Sequence, residues 1–577
     1  MDRFKINIID IETYGKDKLQ PYCCCIIYMN KKVIFYGLKC IDKMLEYVFI
    51  FCDNNTIFFA HNLTFDGLVI LNNLEKGIKI KKEGTLLKNC EIYSLILEKN
   101  NKTIMFRCSA KILPLPLKDI AEKLKLPPKM EIDHDSINKS NYENRKEEVI
   151  KYCLRDCSIT QMFMIEINKE INDIYPGWWI WIYTISGLSL KIFEKKFNNV
   201  VKMKMNIKED DLIRPAYYGG RCEVFGNPYK DDYIFHFDFS SMYTNKLKEE
   251  FPYGDYKIIK NPKSFKKIGF YLVTVNSNIN KIPILPFRCK ETNKLLFPNG
   301  HFSGLYWYEE LKLFVENGGV ISKIELGIVF SKKGFIFKNF SNFCIENRKK
   351  SDLNKILWKL IPNSFIGRMG LKPKEEKTLI LNKNEYKPWE YDVISDKKIN
   401  EQYLVRIRTK DNIEKISNNV IYPAIITSKA RILWWKTAKD LVNNGGRILY
   451  CDTDSIFVSF KKNIIGEVHG NLKWVDNNKD TIIDQACFAG NKIYYLKIKN
   501  KTITKIKGIK NNEISFEEFE KRFENSDKIE FNFDFFNKKL LNIKIEEIVK
   551  KISLDHYDKR IFDEKKKETE PIYINEI

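Results

Sequence analysis

Residues 448–460, ILYCDTDSIFVSF, place two aspartates in the middle of an apolar run. Side chains alternate between the two faces of a β-strand, so Asp452 and Asp454, two positions apart, would point the same way. Two carboxylates crowded at one partly buried point repel each other unless a positive charge lies between them, and a divalent cation is the simplest candidate. The stretch therefore predicts a strand or a tight hairpin that holds a metal ion.

A third carboxylate lies in a similar run, because Asp238 interrupts the strand-like stretch YIFHFDFSSMY at 233–243. Three strand-borne carboxylates that converge in one cleft would hold two divalent ions, and such a pair clamps the attacking and leaving oxygens of a phosphoryl transfer. Neither segment decides this alone, since a D-T-D-S sequence is most often a solvated turn.

A lysine pair on a predicted helix adds to this pattern. Lys355 and Lys359 are four residues apart in LNKILWKLIPNSFIGRMG, so they share one helix face, with Asn363 about a turn further on. Lysines on one face can neutralise a triphosphate, although an ordinary solvated face has the same spacing.

A second set of carboxylates lies near the N-terminus. Asp10 and Glu12 are two apart in the strand-like IIDIETYG, and Asp66 follows in AHNLTFDG. Tyr152 and Asp156 are four apart in YCLRD, which places them on one helix face. Four acids from separate elements can bind two ions, with the tyrosine hydroxyl positioned to orient an attacking water.

The composition bounds the class of protein. With 577 residues the chain exceeds one compact core, and its net charge of +23 is spread along its length. A distributed basic excess suits contact with a polyanion, nucleic acid before membrane, but a lysine-rich composition inherited from an AT-rich gene would look the same. The 14 cysteines include no C-x-x-C pair and resemble small buried hydrophobes, so we expect a reducing compartment and no zinc cluster. The stretch 176–190 is too short for a membrane span.

The order of predicted elements indicates more than one domain. Residues 1–100 alternate short apolar strands with turns, including a hairpin around Asn100-Asn101, and a helical pattern follows at 143–171, which together predict an α/β domain. The remainder mixes both types: helices are predicted at about 178–197, 340–361 and 423–442, strands from about 217, and helix with charged turns from 515.

Five ordered motifs resemble one enzyme family. DFSSMY, KLIPNSFIG and YCDTDS look like the three polymerase motifs of family B DNA polymerases, and YYGG at 217–220 with NKIY at 491–494 completes the set typical of the protein-primed branch. The N-terminal acids, together with CSAKILPLPLKDIA and the Lys129 segment, resemble the 3′–5′ proofreading exonuclease of that family. The resemblance implies an α/β and α+β multidomain protein, with an RNase H-like exonuclease domain followed by a right-hand polymerase with palm, fingers and thumb.

The resemblance also implies roles in the polymerase half. Asp238 and Asp454 would bind two catalytic Mg²⁺ or Mn²⁺ ions, with Asp452 close beside them. Tyr243 would act as a steric gate that meets the 2′-hydroxyl of a ribonucleotide. The other contacts implied are Lys359 and Lys355 to the triphosphate, Asn363 and Gly367 to the nucleotide, Lys492 and Tyr494 to the primer end, and Tyr217, Gly219 and Gly220 to the template path.

For the exonuclease half, the resemblance implies that Asp10, Glu12, Asp66 and Asp156 hold two ions. Tyr152 would orient the attacking water, and Lys129 would stabilise charge on the scissile phosphate. The single-stranded 3′ end would be contacted by Asn62, Phe65 and Ser109.

Three positions depart from the family pattern. Ile366 replaces a tyrosine that packs against the nascent base pair, Pro362 falls inside the expected helix and should kink it, and Thr244 replaces a proline after the gate tyrosine. These changes bear on nucleotide affinity and fidelity more than on the chemistry. We expect Phe365 as a substitute ring.

The resemblance divides the chain into seven segments and implies a DNA primer-template, dNTPs and a terminal (priming) protein as partners, with no membrane. No separate domain precedes Asp10, so we expect the priming protein not to be fused there. The absence of a presequence suits a phage protein and equally one made inside an organelle.

The seven segments implied by the resemblance are 1–190 exonuclease, 191–261 first part of the palm, 262–340 a first terminal-protein-region insertion, 341–372 fingers, 373–405 a second such insertion, 406–505 palm and 506–577 thumb.

Two other functions are compatible with the same residues. A 3′–5′ exonuclease with a decayed polymerase domain is suggested by Ile366 and Pro362. A non-catalytic nucleic-acid-binding replication factor is suggested by the charge, but two sets of acidic side chains would weaken binding to a polyanion unless metals occupy them.

Overall fold

The structure is a computed structural model. The residues that it describes are 6–15, 19–88, 90–134, 136–198, 200–202, 205–229, 232–279, 281–372, 376–408, 418–461, 482–499, 501–507, 515–524, 528–539, 542–553, 559–563 and 568–575. Parts of the predicted second insertion, palm and thumb segments lie outside these ranges. Across the described ranges, no helix combines the length and the apolar character that crossing a membrane requires.

The N-terminal part is an eight-stranded mixed sheet between helices, as the α/β prediction requires. The strands Asn7–Tyr14, Thr56–Ala60 and Lys102–Cys108 run parallel at its centre. The predicted hairpin is confirmed, because Asn100 and Asn101 adopt φ of 51° and 62°, as a tight two-residue turn needs. The outer strands are Gln20–Tyr28 and Lys31–Tyr36 on one side and Glu91–Lys99, Lys79–Ile80 and Leu86–Lys88 on the other.

Helices cover both faces of this sheet. Ile9 and Ile11 face an apolar core shared with the helices Cys40–Phe51 and Leu63–Asn72. Ile8 faces the other core, which contains the long helix Lys146–Asn172. Because side chains alternate along a strand, Asp10 and Glu12 lie on the Ile8 side, toward that helix. Short helices at Ser109–Lys111, Leu117–Lys123 and Glu143–Arg145 complete this part.

Two helical predictions are wrong in extent. The region 178–197 divides into Trp178–Trp181 and Ile185–Lys196, and the region 340–361 divides into Lys338–Asn347 and Asp352–Met369. In each case a hydroxyl starts a new helix, because Thr184 accepts the N–H of Gly187 and Ser351 accepts the N–H of Asn354. The predicted helix at 423–442 is confirmed as Ile421–Asn443.

A five-stranded antiparallel sheet carries the carboxylates of the opening motif. Arg447–Asp452 and Ser455–Phe460 form the predicted hairpin, and Tyr233–Asp238 pairs with the second of these strands. Cys222–Val224 and Ile482–Ile483 complete the sheet at its two edges. The helix Ile421–Asn443 packs against it through Trp434, Ala438 and Leu441.

The remaining elements form smaller sheets. The tail from 515 is a helix followed mainly by strands, so its prediction as helix with charged turns is wrong. The alternating aromatic residues of IEFNFDFF, at 529–536, are the sequence signal that indicates a strand there. The other elements are Ile207–Ile213, Arg214–Ala216, Met242–Lys246, Phe251–Lys260, Gly269–Ser277, Phe287–Arg288, Leu295–Leu296, Asn299–Trp307, Tyr308–Glu316, Val320–Gly334, Glu376–Asn382, Pro388–Glu390, Asp392–Ile399, Gln402–Arg408, Gln485–Gly490, Ile493–Ile498, Lys501–Ile506, Phe516–Glu524, Lys528–Lys539, Asn542–Ser553, Arg560–Asp563, Glu568–Pro571 and Tyr573–Asn575.

The three-stranded sheet at 376–408 packs against the N-terminal sheet, and the side chain of Gln402 pairs with the edge strand of that sheet. The Gln402 amide accepts the N–H of Ile80 at 2.7 Å and donates to its carbonyl at 2.9 Å, as a neighbouring strand would. Ile380, Ile399 and Leu404 extend the apolar core of the N-terminal sheet. The two parts of the chain therefore form one continuous packed unit.

Candidate active sites

The first site lies where three antiparallel strands end together. Asp238 and Asp452 both stand opposite Ser455, at the ends of their strands. Asp454 lies in the turn between, where Thr453 adopts a left-handed φ of 62° and the Asp454 N–H donates to the Asp452 carbonyl at 2.7 Å. The Asp454 carbonyl in turn accepts the N–H of Phe239 at 2.8 Å. The hairpin and its neighbour thus gather the three predicted carboxylates.

The carboxylates of this cluster repel one another. Burial raises the pKa of Asp238, and the positive charge of Lys359 offsets part of that rise. Burial likewise raises the pKa of Asp454, with further increases from Asp238 and Asp452 and a decrease from Lys359. Lys359 offsets only part of the negative charge of these neighbouring carboxylates. Oxygen ligands that carry such an excess of negative charge fit a divalent cation of the Mg²⁺ class.

An exposed stripe on the helix Asp352–Met369 faces this cluster. Lys355, Lys359, Asn363 and Gly367 recur every four residues and all are exposed, whereas the residues between them are mostly buried. Lys355 is paired with Asp352 at 2.8 Å, so Lys359 is the lysine whose charge acts on the carboxylates. A side chain at Gly367 would meet no described atom within 4 Å, which leaves the surface open there. The helix continues past the buried Pro362 to Met369.

The expectation that Phe365 supplies a substitute ring is wrong. Phe365 is fully buried and packs against Phe193, with ring centroids 4.6 Å apart, and against Phe340 at 5.0 Å. It therefore points away from the exposed stripe, because residues 363 and 367 face solvent while 365 faces the core. Ile366 is also buried, at 5% exposure.

Tyr243 lies beside the carboxylates at the start of the short helix Met242–Lys246. Burial raises the pKa of its hydroxyl to about 12, with Arg431 acting in the opposite direction and Asp454 and Asp452 adding to the rise. The following Thr244 is buried, and its carbonyl accepts the Ser341 hydroxyl at 2.6 Å. The half-buried ring is thus held next to the cluster.

The YYGG motif packs directly on the aspartate turn. A Cβ at Gly220 would come within 2.7 Å of the Thr453 side chain, and a Cβ at Gly370 would come within 2.6 Å of the Tyr217 ring. Gly219 has more space, since its nearest contact would be Leu295 at 3.8 Å. Gly220 is therefore required for the close approach of this motif to the turn.

Arg431 is a residue that sequence reasoning missed. It is buried and pairs with Glu310 through two hydrogen bonds of 2.7 and 2.8 Å. It also donates to the carbonyls of Tyr218 and Gly219 at 3.0 and 3.1 Å, which fixes the backbone of the YYGG motif. A basic pair inside the apolar helix sequence IITSKARILWW was the available signal.

The NKIY motif also reaches the first site. Lys492 lies in the turn before the strand Ile493–Ile498, and its ammonium is 3.5 Å from Asp452 Oδ2. Its N–H donates to the Tyr450 hydroxyl at 3.0 Å, and the rings of Tyr450 and Tyr494 are 5.5 Å apart. Lys492 and Tyr494 therefore lie beside Asp452, whereas the charge of Lys359 acts on Asp238 and Asp454.

The second site gathers the four N-terminal acids. Asp10 and Glu12 lie on the strand Asn7–Tyr14, Asp66 accepts the N–H of Ile11 at 3.0 Å, and Asp156 comes from the long helix. Burial and the Asp156 charge raise the pKa of Asp10 to about 7, and burial together with Asp10 raises those of Glu12 and Asp66 well above their usual range.

Two oxygens in this second cluster have no hydrogen-bond partner among the described residues. They are Asp10 Oδ2 and Asp156 Oδ1, and both are buried. A buried carboxylate oxygen without a donor is costly, and divalent cations are the usual partners of such oxygens. The second cluster therefore has the donor atoms that a divalent cation requires.

A lysine, a tyrosine and a histidine border the second cluster. Lys129 donates to the Tyr152 hydroxyl at 2.7 Å and forms an ion pair with Asp156. His134, which sequence reasoning missed, places Nε2 at 3.3 Å from the same hydroxyl and Nδ1 at 3.8 Å from Glu12 Oε2. Its position five residues after Lys129 in KMEIDHD was the only signal.

The three residues predicted to hold a single-stranded end differ in exposure. Asn62 is exposed at the start of the helix Leu63–Asn72, with φ of 70°, and Phe65 is half-buried on the same helix. Ser109 is fully buried; its hydroxyl donates to the Ala60 carbonyl at 3.2 Å and lies 3.1 Å from His61 Nδ1. The contact predicted for Ser109 is contradicted, because the structure presents no surface of that side chain to a ligand.

Known proteins resemble this chain over most of its length. The sequence model of DNA polymerase type B, organellar and viral, matches residues 49–147 and 133–445. This chain belongs to that family. The predicted resemblance to family B polymerases is confirmed.

Individual relatives span phages and fungi. A probable DNA polymerase of Podospora anserina is 25% identical over 85% of this chain and 50% of its own length, and one of Neurospora intermedia is 27% identical over 57% and 40%. This chain therefore spans about half the length of these relatives or less. The DNA-directed DNA polymerase of Enterobacteria phage PRD1 is 23% identical over 85% of this chain and 83% of its own length.

The fold matches a solved polymerase. The phi29 DNA polymerase complexed with primer-template DNA and incoming nucleotide superposes with a TM-score of 0.73 over 95% of this chain and all of that one, at 19% identity. The predicted fold class is confirmed by this match.

Proposed function

We propose that this chain is a template-directed DNA polymerase with a separate 3′–5′ proofreading exonuclease. The observation that carries the proposal is the presence of two separate carboxylate clusters, one beside the five-stranded sheet around Asp238 and Asp454, the other beside the eight-stranded sheet around Asp10 and Asp156. Membership of the organellar and viral type B polymerases supports DNA as template and product.

In the polymerase site, each side chain would act on a different part of the reaction. Asp238 and Asp454 would hold the divalent ions, which when bound activate the attacking primer oxygen and stabilise the leaving pyrophosphate oxygen. Lys359, on the exposed stripe, would neutralise the triphosphate. Tyr243 would exclude a ribose 2′-hydroxyl with its ring, and Lys492 would bind the primer phosphate next to Asp452.

In the exonuclease site, Tyr152 and Lys129 would act together. The Lys129 ammonium donates to the Tyr152 hydroxyl, which holds the oxygen of that hydroxyl in position, and the hydroxyl proton can pass from His134, 3.3 Å away, to a water or a phosphate oxygen that enters the site. The same ammonium lies beside Asp156 and would offset negative charge that develops on the scissile phosphate. Exposed Asn62 and half-buried Phe65 would contact the unpaired 3′ end.

Synthesis would begin on the hydroxyl of a terminal protein and would displace the strand ahead. The support is the full-length fold match to the phi29 enzyme and the two segments, 262–340 and 373–405, that simple palm and fingers do not need. We assign these segments to the insertions that contact the priming protein and the template, within the domain division given above. The other partners would be a DNA primer-template and dNTPs.

Separate inactivation of the two sites tests this function. Asp454→Asn should abolish primer extension with dNTPs and Mg²⁺ and spare 3′ degradation, because it removes a ligand from one cluster only. Asp10→Ala with Glu12→Ala should do the reverse. Loss of both activities in either variant, with the thermal transition unchanged, would contradict two separate sites.

A second candidate is an exonuclease whose polymerase half has decayed. It is favoured by the burial of Phe365 and Ile366, which leaves the exposed stripe without the aromatic ring that the family pattern has there. If the wild-type protein degrades a primer-template but does not extend it at any dNTP concentration, this second candidate is correct.

Incubation of the wild-type protein with a candidate terminal protein and one labelled dNTP tests protein priming. The priming proposal fails if no covalent adduct forms.

A further inference from the structure

Four cysteines meet beneath the second carboxylate cluster, and neither proposed activity uses them. Cys23 and Cys25 come from the strand Gln20–Tyr28, and Cys153 and Cys157 come from the helix Lys146–Asn172. All four are fully buried on the same side of the sheet. Cys24, between the first two, faces the opposite core.

Elementary geometry explains why these four converge. Alternate strand residues share a face, so C-x-C presents two thiols to the helix. Residues four apart share a helix face, so the cysteines of CLRDC present two thiols back to the strand. The expectation of no zinc cluster rested on the absence of C-x-x-C, and this combined pattern escapes that search.

The distances fit a single soft metal ion. The sulfurs of Cys23 and Cys25 are 3.9 Å apart, and those of Cys23, Cys25 and Cys153 all lie within 4.8 Å of one another. Metal–sulfur bonds of about 2.3 Å in tetrahedral geometry place sulfurs roughly 3.8 Å apart, so closure around an ion needs shifts of about 1 Å or less. Cys157, one helical turn after Cys153, donates its thiol to the Cys25 carbonyl at 3.5 Å, so it lies beside these three sulfurs and would have to turn toward the ion to supply a fourth.

We infer that Cys23, Cys25, Cys153 and Cys157 bind one thiophilic d¹⁰ cation of the zinc and cadmium class. Soft thiolates select such ions over the hard Mg²⁺ that carboxylates prefer, so the two neighbouring sites would take different metals. Cysteine binds such an ion as the thiolate, so binding would displace the thiol protons, and the ion would neutralise two of the resulting negative charges. The bound ion would join the helix that carries Asp156 to the strand Gln20–Tyr28, whose Cys25 pairs with Asp10 of the neighbouring strand, and would thereby fix the positions of both acids.

Cadmium titration of the full-length protein tests this inference. After treatment with a chelator and a reductant, Cd²⁺ should produce a thiolate-to-cadmium charge-transfer absorption that saturates at one ion per chain and persists in excess Mg²⁺. Cd²⁺ or Zn²⁺ should also raise the temperature of thermal unfolding, since a ligand that binds only the folded state stabilises it.

Matched variants identify the ligands. Cys25→Ser with Cys153→Ser should lose both the absorption and the thermal shift, whereas Cys344→Ser, which alters a buried cysteine outside the cluster, should keep both. If the double variant does not fold, the single changes Cys25→Ala and Cys153→Ala serve in its place. The inference is overturned if wild type shows no saturable band, or if the band survives in these cluster variants.

Discussion

The buried Asp10 carboxylate should destabilise the metal-free protein above neutral pH. Burial and Asp156 raise its pKa from 3.8 to about 7, so the folded chain keeps a proton that the unfolded chain releases. The free energy of unfolding therefore falls as the pH rises from about 4 to about 7 and stays low above that. A shift of about three units corresponds to roughly 4 kcal/mol, part of which belongs to the coupled acids around it.

Asp10→Asn removes this penalty, because an amide of the same shape does not ionise. In chelator at about pH 8, we expect a gain of roughly 2 to 4 kcal/mol. At about 2 to 4 °C per kcal/mol for a unit of this size, the thermal transition should rise by roughly 5 to 15 °C. At about pH 5 the gain should be less than half as large, since the unfolded carboxyl has passed its own pKa by only about one unit.

Differential scanning calorimetry of the full chain measures both values. A chain with several domains can unfold in several steps, so the transition to follow is the one that moves with pH in the wild type. Glu46→Gln, which neutralises an exposed carboxylate on the helix Cys40–Phe51, is the control and should change little. An Asp10→Asn transition equal to or below that of the wild type at the higher pH, or the same gain at both pH values, would refute the electrostatic argument.

Three further predictions concern the first site. Tyr243→Ala should raise ribonucleotide incorporation by at least about tenfold in single-nucleotide extension, and unchanged discrimination would remove its gate role. Lys359→Ala should raise the KM for dNTPs more than Lys355→Ala does, because Lys355 is already paired with Asp352; equal effects would mean that the stripe acts only as diffuse charge. Arg431→Met leaves the buried Glu310 carboxylate with the Ser428 hydroxyl but without its cation, so thermal unfolding should show a loss of about 3 to 5 kcal/mol. Adding Glu310→Leu should recover part of this loss, and a double variant no more stable than Arg431→Met would contradict the prediction.

The carboxylates could be located from the sequence because their spacing shows which side chains point the same way. Residues two apart on a strand, or four apart on a helix, share a face whatever the rest of the fold is. The pairs Asp10 with Glu12 and Tyr152 with Asp156 follow directly from this rule. The hairpin around Asp452 and the hairpin at Asn100-Asn101 were accessible for the same reason. The split of the helix near 348 was not, because it depends on one hydroxyl, that of Ser351.

Partners that are remote in sequence were beyond that reasoning. His134 contacts Glu12 and Arg431 contacts Glu310, and the two residues of each pair are about 120 positions apart in the sequence. Neither contact can be recognised from the local sequence. Phe365 was misjudged because a phenylalanine near a functional helix face looks the same in sequence whether it points to a ligand or to the core. The four cysteines were dismissed because their two pairs lie on different elements, and only the packed sheet and helix bring them together.

The contact between Gln402 and Ile80 limits how the protein can be dissected. A fragment that ends near residue 190 would contain every acid of the second cluster but would lack Gln402, Ile399 and Leu404. Its edge strand would then expose unpaired backbone groups, and the apolar surface beside it would be uncovered. Such a fragment should self-associate when expressed alone, whereas one that also carries the 376–408 sheet should stay in solution.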